Sequence, residues 1–342
     1  MKRVAHILSS GGYSGAENIA IRFIEATPES YESVYVSTAG PIEVKLSDAN
    51  IRHYCIPNNS HSTLKKAIKD LDVDIVYAHD FKASVRTAFL MSPVTKISHI
   101  HQNPSWFSSI NIKTLLFLFC SLFLSKIVFV SQETRDEFAF AGAIKKKSVV
   151  LDNFVDGVIV KERAGHQNKK FHVSFLGRFE PVKDPLRFLK LINTIKPDYP
   201  NISAIMIGDG SLIHSARQYV VEQGLESNVE IVGYQDNPYT YLSESFINVI
   251  PSVWEGFGLS AVEAMVLGVP VVANSVGGLK TVVTEECGFL CKNDEDFVSA
   301  ITTLINEKSK LAEYSKNALE NSKKYTDRDR WGHGVAGILS QE

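Results

Sequence analysis

The sequence predicts an α/β protein made of two successive doubly wound domains, each a parallel sheet flanked by helices. Three observations carry this. Short apolar runs of strand length alternate with helical patterns from the N-terminus to about Leu151, an order that implies parallel pairing through right-handed crossovers. The polar stretch Gly157–Lys170, with K-E-R-A-G-H-Q-N-K-K, then interrupts the alternation and reads as a linker. From Phe171 the alternation starts again. At 342 residues and 44% hydrophobic content the chain has enough apolar matter for two cores.

In the first half, strands are expected at Arg3–Leu8, Ser33–Ser37, Ile51–Ile56, Ile75–Ala78, Ile97–Ile100, Ile127–Val130 and Val149–Leu151. Helices fall between them, at Ala16–Ala26, Ser62–Leu71, Lys82–Leu90, Ile112–Leu124 and Glu133–Ala139. In the second half the expected strands are Phe171–Leu176, Ile202–Ile207, Val229–Val232, Phe246–Ile250 and Val269–Ala273. Helices are expected at Pro185–Thr194, behind the N-cap Asp184, and at Ser211–Gln223, Leu259–Leu267, Asp294–Asn306 and Ser309–Lys324. The domains are thus residues 1–163, a linker at 164–170, and 171–326. The tail from Asp327, with Trp331 and Ile338 at helical spacing, is expected to cross back onto the first domain. Two such domains place two sets of strand carboxyl ends near one another, so a ligand cleft between them is expected, with the linker as hinge.

A net charge of −2 without long charged runs argues against a nucleic-acid partner. Cys55, Cys120, Cys287 and Cys291 form no C-x-x-C pair, which suits reduced thiols in a cytoplasmic protein. The apolar start of M-K-R-V-A-H-I-L-S-S-G-G is too short for an export signal. Leu115–Leu124, bracketed by Lys113 and Lys126, is too short to span a bilayer. It reads first as a core helix. The alternative is a helix over 112–124 resting in a membrane surface near a lipid-borne substrate, because Phe117, Phe119 and Phe123 occupy more than one face.

The most informative stretch is Glu255–Ala273. Gly256 and Gly258 lead into a helix N-terminus, where backbone N–H groups and the helix dipole favour phosphate. Glu263, one turn inside, suits the vicinal diol of a ribose. Arg178 and Lys183, in the first loop after a strand, suit a diphosphate, the Arg by two oxygens and the Lys as a compact charge. Alone, either set is also what surface charges and a solvated Glu look like. The loop Ser9–Gly15, with Gly12 and Gly15, and the turn Met206–Ser211, with Gly208 and Gly210, allow close backbone approach to a ligand, although packing also explains glycines in strand–helix turns. Gly233 and Tyr234 follow the next strand, where they line a base pocket or form a structural turn. His101 follows a strand and suits the sugar or the acceptor hydroxyl, or a structural role; His79 and Asp80 sit similarly. Neither place has metal-ligand spacing of the H-E-x-x-H kind.

In combination these motifs resemble the retaining glycosyltransferases of the GT-B fold known as family 4, or glycosyl transferases group 1. The matching stretches are G-G-Y-S-G-A-E at 11–17, V-F-V-S at 128–131, N-F-V-D at 153–156, G-R-F-E-P-V-K at 177–183, G-D-G at 208–210 and E-G-F-G-L-S-A-V-E-A at 255–264. The resemblance implies transfer of a sugar, with retained configuration and no divalent metal or other cofactor, from a nucleotide-sugar donor to a sugar or lipid-linked saccharide acceptor. A UDP-sugar is expected first and a GDP-sugar second. It assigns Arg178 and Lys183 to the diphosphate, Glu263 to the ribose, and Glu255 and His101 to the sugar. Gly256, Phe257, Gly258, Leu259 and Ser260 hold sugar or phosphate, and Gly12 approaches the diphosphate. Asp184 departs from the pattern, which usually has Gly after the Lys. Surface polysaccharide or glycolipid synthesis fits, at the inner membrane face if 112–124 touches lipid. A nucleotide-sugar epimerase, a phosphorylase carrying pyridoxal phosphate, and a non-catalytic sugar-nucleotide sensor are the alternatives on the same architecture.

Overall fold

The computed structural model describes residues 1–90, 92–165 and 168–340. They form two compact units, Met1–Phe154 together with the segment from Asp327, and Val155–Thr326. In the first unit, β1 (Lys2–Ile7), β2 (Tyr31–Ser37), β3 (His53–Cys55), β4 (Ile75–His79), β5 (Thr95–Ile100), β6 (Lys126–Phe129) and β7 (Ser148–Val150) form one sheet in the order β3-β2-β1-β4-β5-β6-β7. In the second, β8 (Phe171–Leu176), β9 (Ala204–Ile207), β10 (Val229–Gly233), β11 (Ser245–Ile250), β12 (Val271–Asn274) and β13 (Gly288–Cys291) are ordered β10-β9-β8-β11-β12-β13. Every pairing is parallel. Each unit is a doubly wound α/β domain, as the sequence predicts.

The strands are apolar on both faces because helices cover both. On β4, Val76 and Ala78 join Leu64, Ala67 and Ile68 of the helix His61–Leu71. Ile75 and Tyr77, pointing the other way, meet Phe23, Trp331 and Val335. The helix Arg328–Leu339 therefore belongs to the core of the first unit. Trp331 stacks on Phe154 with ring centroids 5.5 Å apart and donates its indole N–H to the Asp152 carbonyl at 2.8 Å. In the second unit, β8, β9 and β11 close on the helices Pro185–Ile195, Ile213–Glu222 and Asp294–Asn306 through Phe188, Leu189, Ala216, Phe297 and Ile301. Strand β12 begins only at Val271, where Val269 had been expected, because Pro270 has no N–H for the ladder.

The linker expectation needs correction. Gly157–Ala164 is a helix, N-capped by Asp156, whose carboxylate accepts from the Val158 and Ile159 amides at 3.2 and 3.1 Å. It packs on the helices Tyr239–Ser243 and Leu259–Val266 of the second unit. The division accordingly falls at Phe154/Val155 instead of after Arg163. Of the expected linker at 164–170, His166 and Gln167 lie outside the described residues. Lys170 already belongs to the second unit, paired with Glu244 at 2.6 Å.

The helix Ile112–Ser121 is core on one side only. Phe117 and Cys120 are fully buried, whereas Phe119 and Phe123 are about half exposed. Among the described residues no helix is long and apolar enough to cross a membrane. The four cysteines are free thiols, three of them buried.

Asp184 explains its own departure from the Lys-Gly pattern. Its φ of 49° lies in the left-handed region, which Gly adopts freely and Asp tolerates, and its carboxylate caps the next helix by accepting from the Arg187 amide at 3.1 Å. Asp184→Ala keeps the strain and loses the cap, so it is expected to cost about 1–2 kcal/mol in urea denaturation. Asp184→Gly relieves the strain and is expected near wild type; equal losses in both variants would contradict this reading.

Candidate functional site

The second sheet reverses its winding between β8 and β11, and the loops leaving those two strands meet there. The Val253 amide donates to the Val182 carbonyl at 2.8 Å. Beside it, Lys183 forms an ion pair with Glu255, whose carboxylate also accepts from the Ser252 hydroxyl at 3.0 Å. Glu255 is buried and Lys183 half-buried, so each needs the other as charge partner. Ser252 is itself held by Asn274, whose amide donates to its carbonyl at 2.9 Å. Arg178 is exposed, and among the described residues its guanidinium has no hydrogen bond or ion pair. The loop after β8 thus presents one held cation and one exposed cation.

The turn after β9 braces this loop. The Phe179 amide donates to the Asp209 carbonyl at 2.9 Å, and the Ser211 amide and hydroxyl donate to Glu180 at 3.1 and 2.8 Å. Those two bonds hold the Glu180 carboxyl below its usual range. Gly208 and Gly210 carry positive φ, and a side chain on either would collide with the backbone at Gly177 or Phe179. Close packing of loop on loop therefore accounts for both glycines. Tyr234, after β10, is 60% exposed and reaches Asp236 at 3.3 Å.

Gly258 N-caps the helix Leu259–Val266 at φ 101°, where a Cβ would lie 2.7 Å from Leu279. No side chain caps this end. The N–H groups of Leu259 and Ser260 precede the first intrahelical bond, which runs from Ala261 to the Gly258 carbonyl. They form the anion-ready end expected from sequence. The Phe257 side chain is buried edge-on against Tyr325, centroids 5.3 Å apart. Gly256 is buried beside it.

Glu263 lies one turn in, where Tyr239 donates to it at 3.1 Å. Burial pushes its carboxyl up to about 7. Tyr239 was not singled out from sequence; only its packing beside this helix brings it there. Because the folded pKa lies above the ordinary value of 4.5, the stabilising contribution is complete below 4.5 and is lost as pH rises through about 7. Glu263→Gln, which needs no ionisation, is expected to gain roughly 2–4 °C in Tm over wild type between pH 5 and 8. A pH-independent difference would show that Glu263 titrates normally.

In the first unit, His101 is buried at the carboxyl end of β5 within a group of imidazoles that single-residue reading did not connect. His101 Nε2 lies 2.9 Å from His79 Nδ1, His79 Nε2 lies 3.2 Å from His6 Nδ1, and His6 Nε2 lies 3.3 Å from the Ser33 hydroxyl. His99 pairs with the Tyr77 hydroxyl at 3.1 Å. Burial holds His6 and His101 down at about 3 and His79 and His99 well below their usual range, so all four are neutral at pH 7. A neutral imidazole donates at one nitrogen and accepts at the other, so the tautomers of His6, His79 and His101 are coupled. His79, His99 and His101 also bring ligand atoms within 4.8 Å of one another, a metal-sized grouping absent from the sequence spacing and created by strand register. Both nitrogens of His79 already serve the chain to His6 and His101.

The Gly-rich turn of this unit contains Gly12, half-buried, and Gly15, exposed as the first residue of the helix Gly15–Glu25. Glu17 is buried beneath the turn and accepts from Ser10 at 3.2 Å and Ser14 at 2.5 Å, fixing the turn from inside. The second unit by itself offers phosphate-sized anions two cations and a helix end, and the first unit by itself presents neutral imidazoles at its strand ends.

Comparison with known proteins agrees with this chemistry. The sequence model described as glycosyl transferases group 1 matches residues 159–321, nearly the whole second unit. The chain is 23% identical to the Escherichia coli UDP-Gal:alpha-D-GlcNAc-diphosphoundecaprenol alpha-1,3-galactosyltransferase, over 90% of this chain and 88% of that one. It is 29% identical to the lipopolysaccharide core biosynthesis mannosyltransferase LpsB of Rhizobium meliloti, over 54% and 55% of the two chains. Its fold matches that of Anabaena HepE, solved in complex with UDP and glucose, with a TM-score of 0.86 at 21% identity and full coverage of both chains. Residues 159–321 thus match the glycosyl transferases group 1 family model, and the chain as a whole resembles glycosyltransferases of the GT-B fold.

Proposed function

We propose that the chain transfers a sugar from a UDP-sugar to a hydroxyl of a lipid-linked saccharide, with retention of anomeric configuration and without a divalent metal. The observation that carries this is the joining of the β8 and β11 loops at the winding reversal, with Lys183, Arg178 and the Leu259–Val266 helix end on the same strand ends. UDP and glucose in the HepE structure, and the UDP-Gal donor and diphosphoundecaprenol acceptor named for the Escherichia coli relative, support the donor and acceptor classes.

Breaking the anomeric bond leaves positive charge on the sugar and extra negative charge on the β-phosphate. Arg178 and Lys183 neutralise the latter, and the N–H groups of Leu259 and Ser260 add two fixed dipoles. These cations do the work a divalent metal does elsewhere. Glu263 receives the ribose hydroxyls in place of, or beside, Tyr239. Glu255 keeps its pair with Lys183, which holds that cation in place for the diphosphate, and is assigned to the donor sugar. The acceptor hydroxyl attacks from the leaving-group face and gives its proton to a phosphate oxygen. On the first unit, His101 is assigned to the sugar or acceptor hydroxyl, and Gly12 and Gly15 to phosphate oxygens.

Arg178 is exposed, so Arg178→Ala leaves the fold intact. It is expected to lower kcat/KM by about 10²-fold or more in a UDP-sugar transfer assay run in EDTA on lipid-linked acceptors. Near-normal turnover, or turnover that requires added metal, would overturn the mechanism.

A further inference from the structure

The helix Ile112–Ser121 has two apolar faces, and the core uses one. Thr114, Phe117, Cys120 and Ser121 point inward and are buried. Ile112, Leu115, Leu116, Phe119, Leu122 and Phe123 recur at three- and four-residue spacing on the outer side, from 38% to 83% exposed. Phe89 extends this stripe, its ring 6.1 Å from Phe119 and 5.9 Å from Phe123. Ile110, 72% exposed, precedes the helix. Isolated exposed apolar residues are ordinary, but a continuous stripe of large ones solves no folding problem and marks a binding surface.

The stripe is held rigidly. Asn111 closes a capping box at one end of the helix, and the Lys147 ammonium donates to the Ser121 and Leu124 carbonyls at 2.9 and 2.8 Å at the other. Its charge surroundings are one-sided. Along the sequence no acidic residue occurs between Asp80 and Glu133; of the cations in that interval Lys82 and Lys113 are exposed, whereas Lys96 is buried and Lys126 donates to carbonyls at the end of the C-terminal helix. Lys113 is exposed beside the stripe, its ammonium 4.9 Å from the Trp106 ring. Lys145 and Lys146 are exposed next to the Lys147 cap.

We propose that this stripe seats the chain on an anionic lipid surface, the helix lying in the interface with its apolar side in the acyl boundary and its lysines among the headgroups. Exposed Lys113, Lys145 and Lys146 flank the apolar helix face, Asp136 near Lys145 being already paired with Arg135, and this matches an anionic bilayer in both charge and depth. A second copy fits worse, because stripe-to-stripe packing would bring the lysine sets of two copies together. The inference deepens the proposed function by naming where a lipid-linked acceptor is met, and rests on that reading for its purpose alone.

The test is flotation of the full chain with phosphatidylcholine vesicles, with and without phosphatidylglycerol, no donor or acceptor being present. The wild type is expected to float with phosphatidylglycerol vesicles. Leu115→Ser/Phe119→Ser should lower the partition coefficient by about tenfold or more at an unchanged circular-dichroism melt. Lys145→Glu/Lys146→Glu should weaken binding and its salt dependence together. Three results would overturn the proposal: a wild type that stays in the aqueous fraction with both vesicles, a Leu115/Phe119 variant that floats equally well, or a wild-type dimer in sedimentation velocity that this variant abolishes. A chain that floats but transfers no sugar sinks the functional reading and leaves the lipid surface standing.

Discussion

The second unit depends on one interaction, the ion pair of Lys183 and Glu255 across the winding reversal between β8 and β11. A buried carboxylate without its cation would be strongly unfavourable, so the two loops are held together as long as the pair is intact. Ser252 completes the carboxylate's hydrogen bonding, and Asn274 holds Ser252, which extends the constraint to the end of β12. The β9 turn braces the same loop from the other side through Glu180 and Ser211. Four consecutive strand ends of the sheet are thereby fixed before any ligand arrives. That is the preorganisation a diphosphate site requires.

The same topology does something different in the first unit. There the winding reverses between β1 and β4, and the residues meeting at that place are His6 and His79, with His101 one strand further. Neutral imidazoles replace the ion pair. Burial forbids charge on any of them, so the group orders hydrogen bonds without contributing electrostatic attraction. Two sheets of one architecture thus join at their winding reversals by different chemistry, an ion pair in the second unit and neutral imidazoles in the first.

Much of this was legible in the sequence because parallel strands covered on both faces are written as unbroken apolar runs, such as Ile75–Ala78 and Phe246–Ile250. Arg178, Lys183, Glu255 and Glu263 were legible because each lies in a contiguous motif at a strand end. The Gly157–Ala164 helix was missed because K-E-R-A offers no clear apolar period; its stability comes from the Asp156 cap and from packing on two helices distant in sequence. Strand β13 was hidden in the short run Gly288–Cys291, too brief to separate from a turn. The imidazole chain, Tyr239 beside Glu263, and the packing role of Gly208 depend on register and long-range contact, which no local pattern encodes.

Whether the strand ends of the second unit grip a diphosphate is most directly read by calorimetric titration of the wild-type chain with UDP and with uridine in EDTA. UDP is expected to bind about tenfold or more tightly, a difference that shrinks as salt is raised. Equal affinities for UDP and uridine would contradict the diphosphate role of Arg178, Lys183 and the Leu259–Val266 helix end.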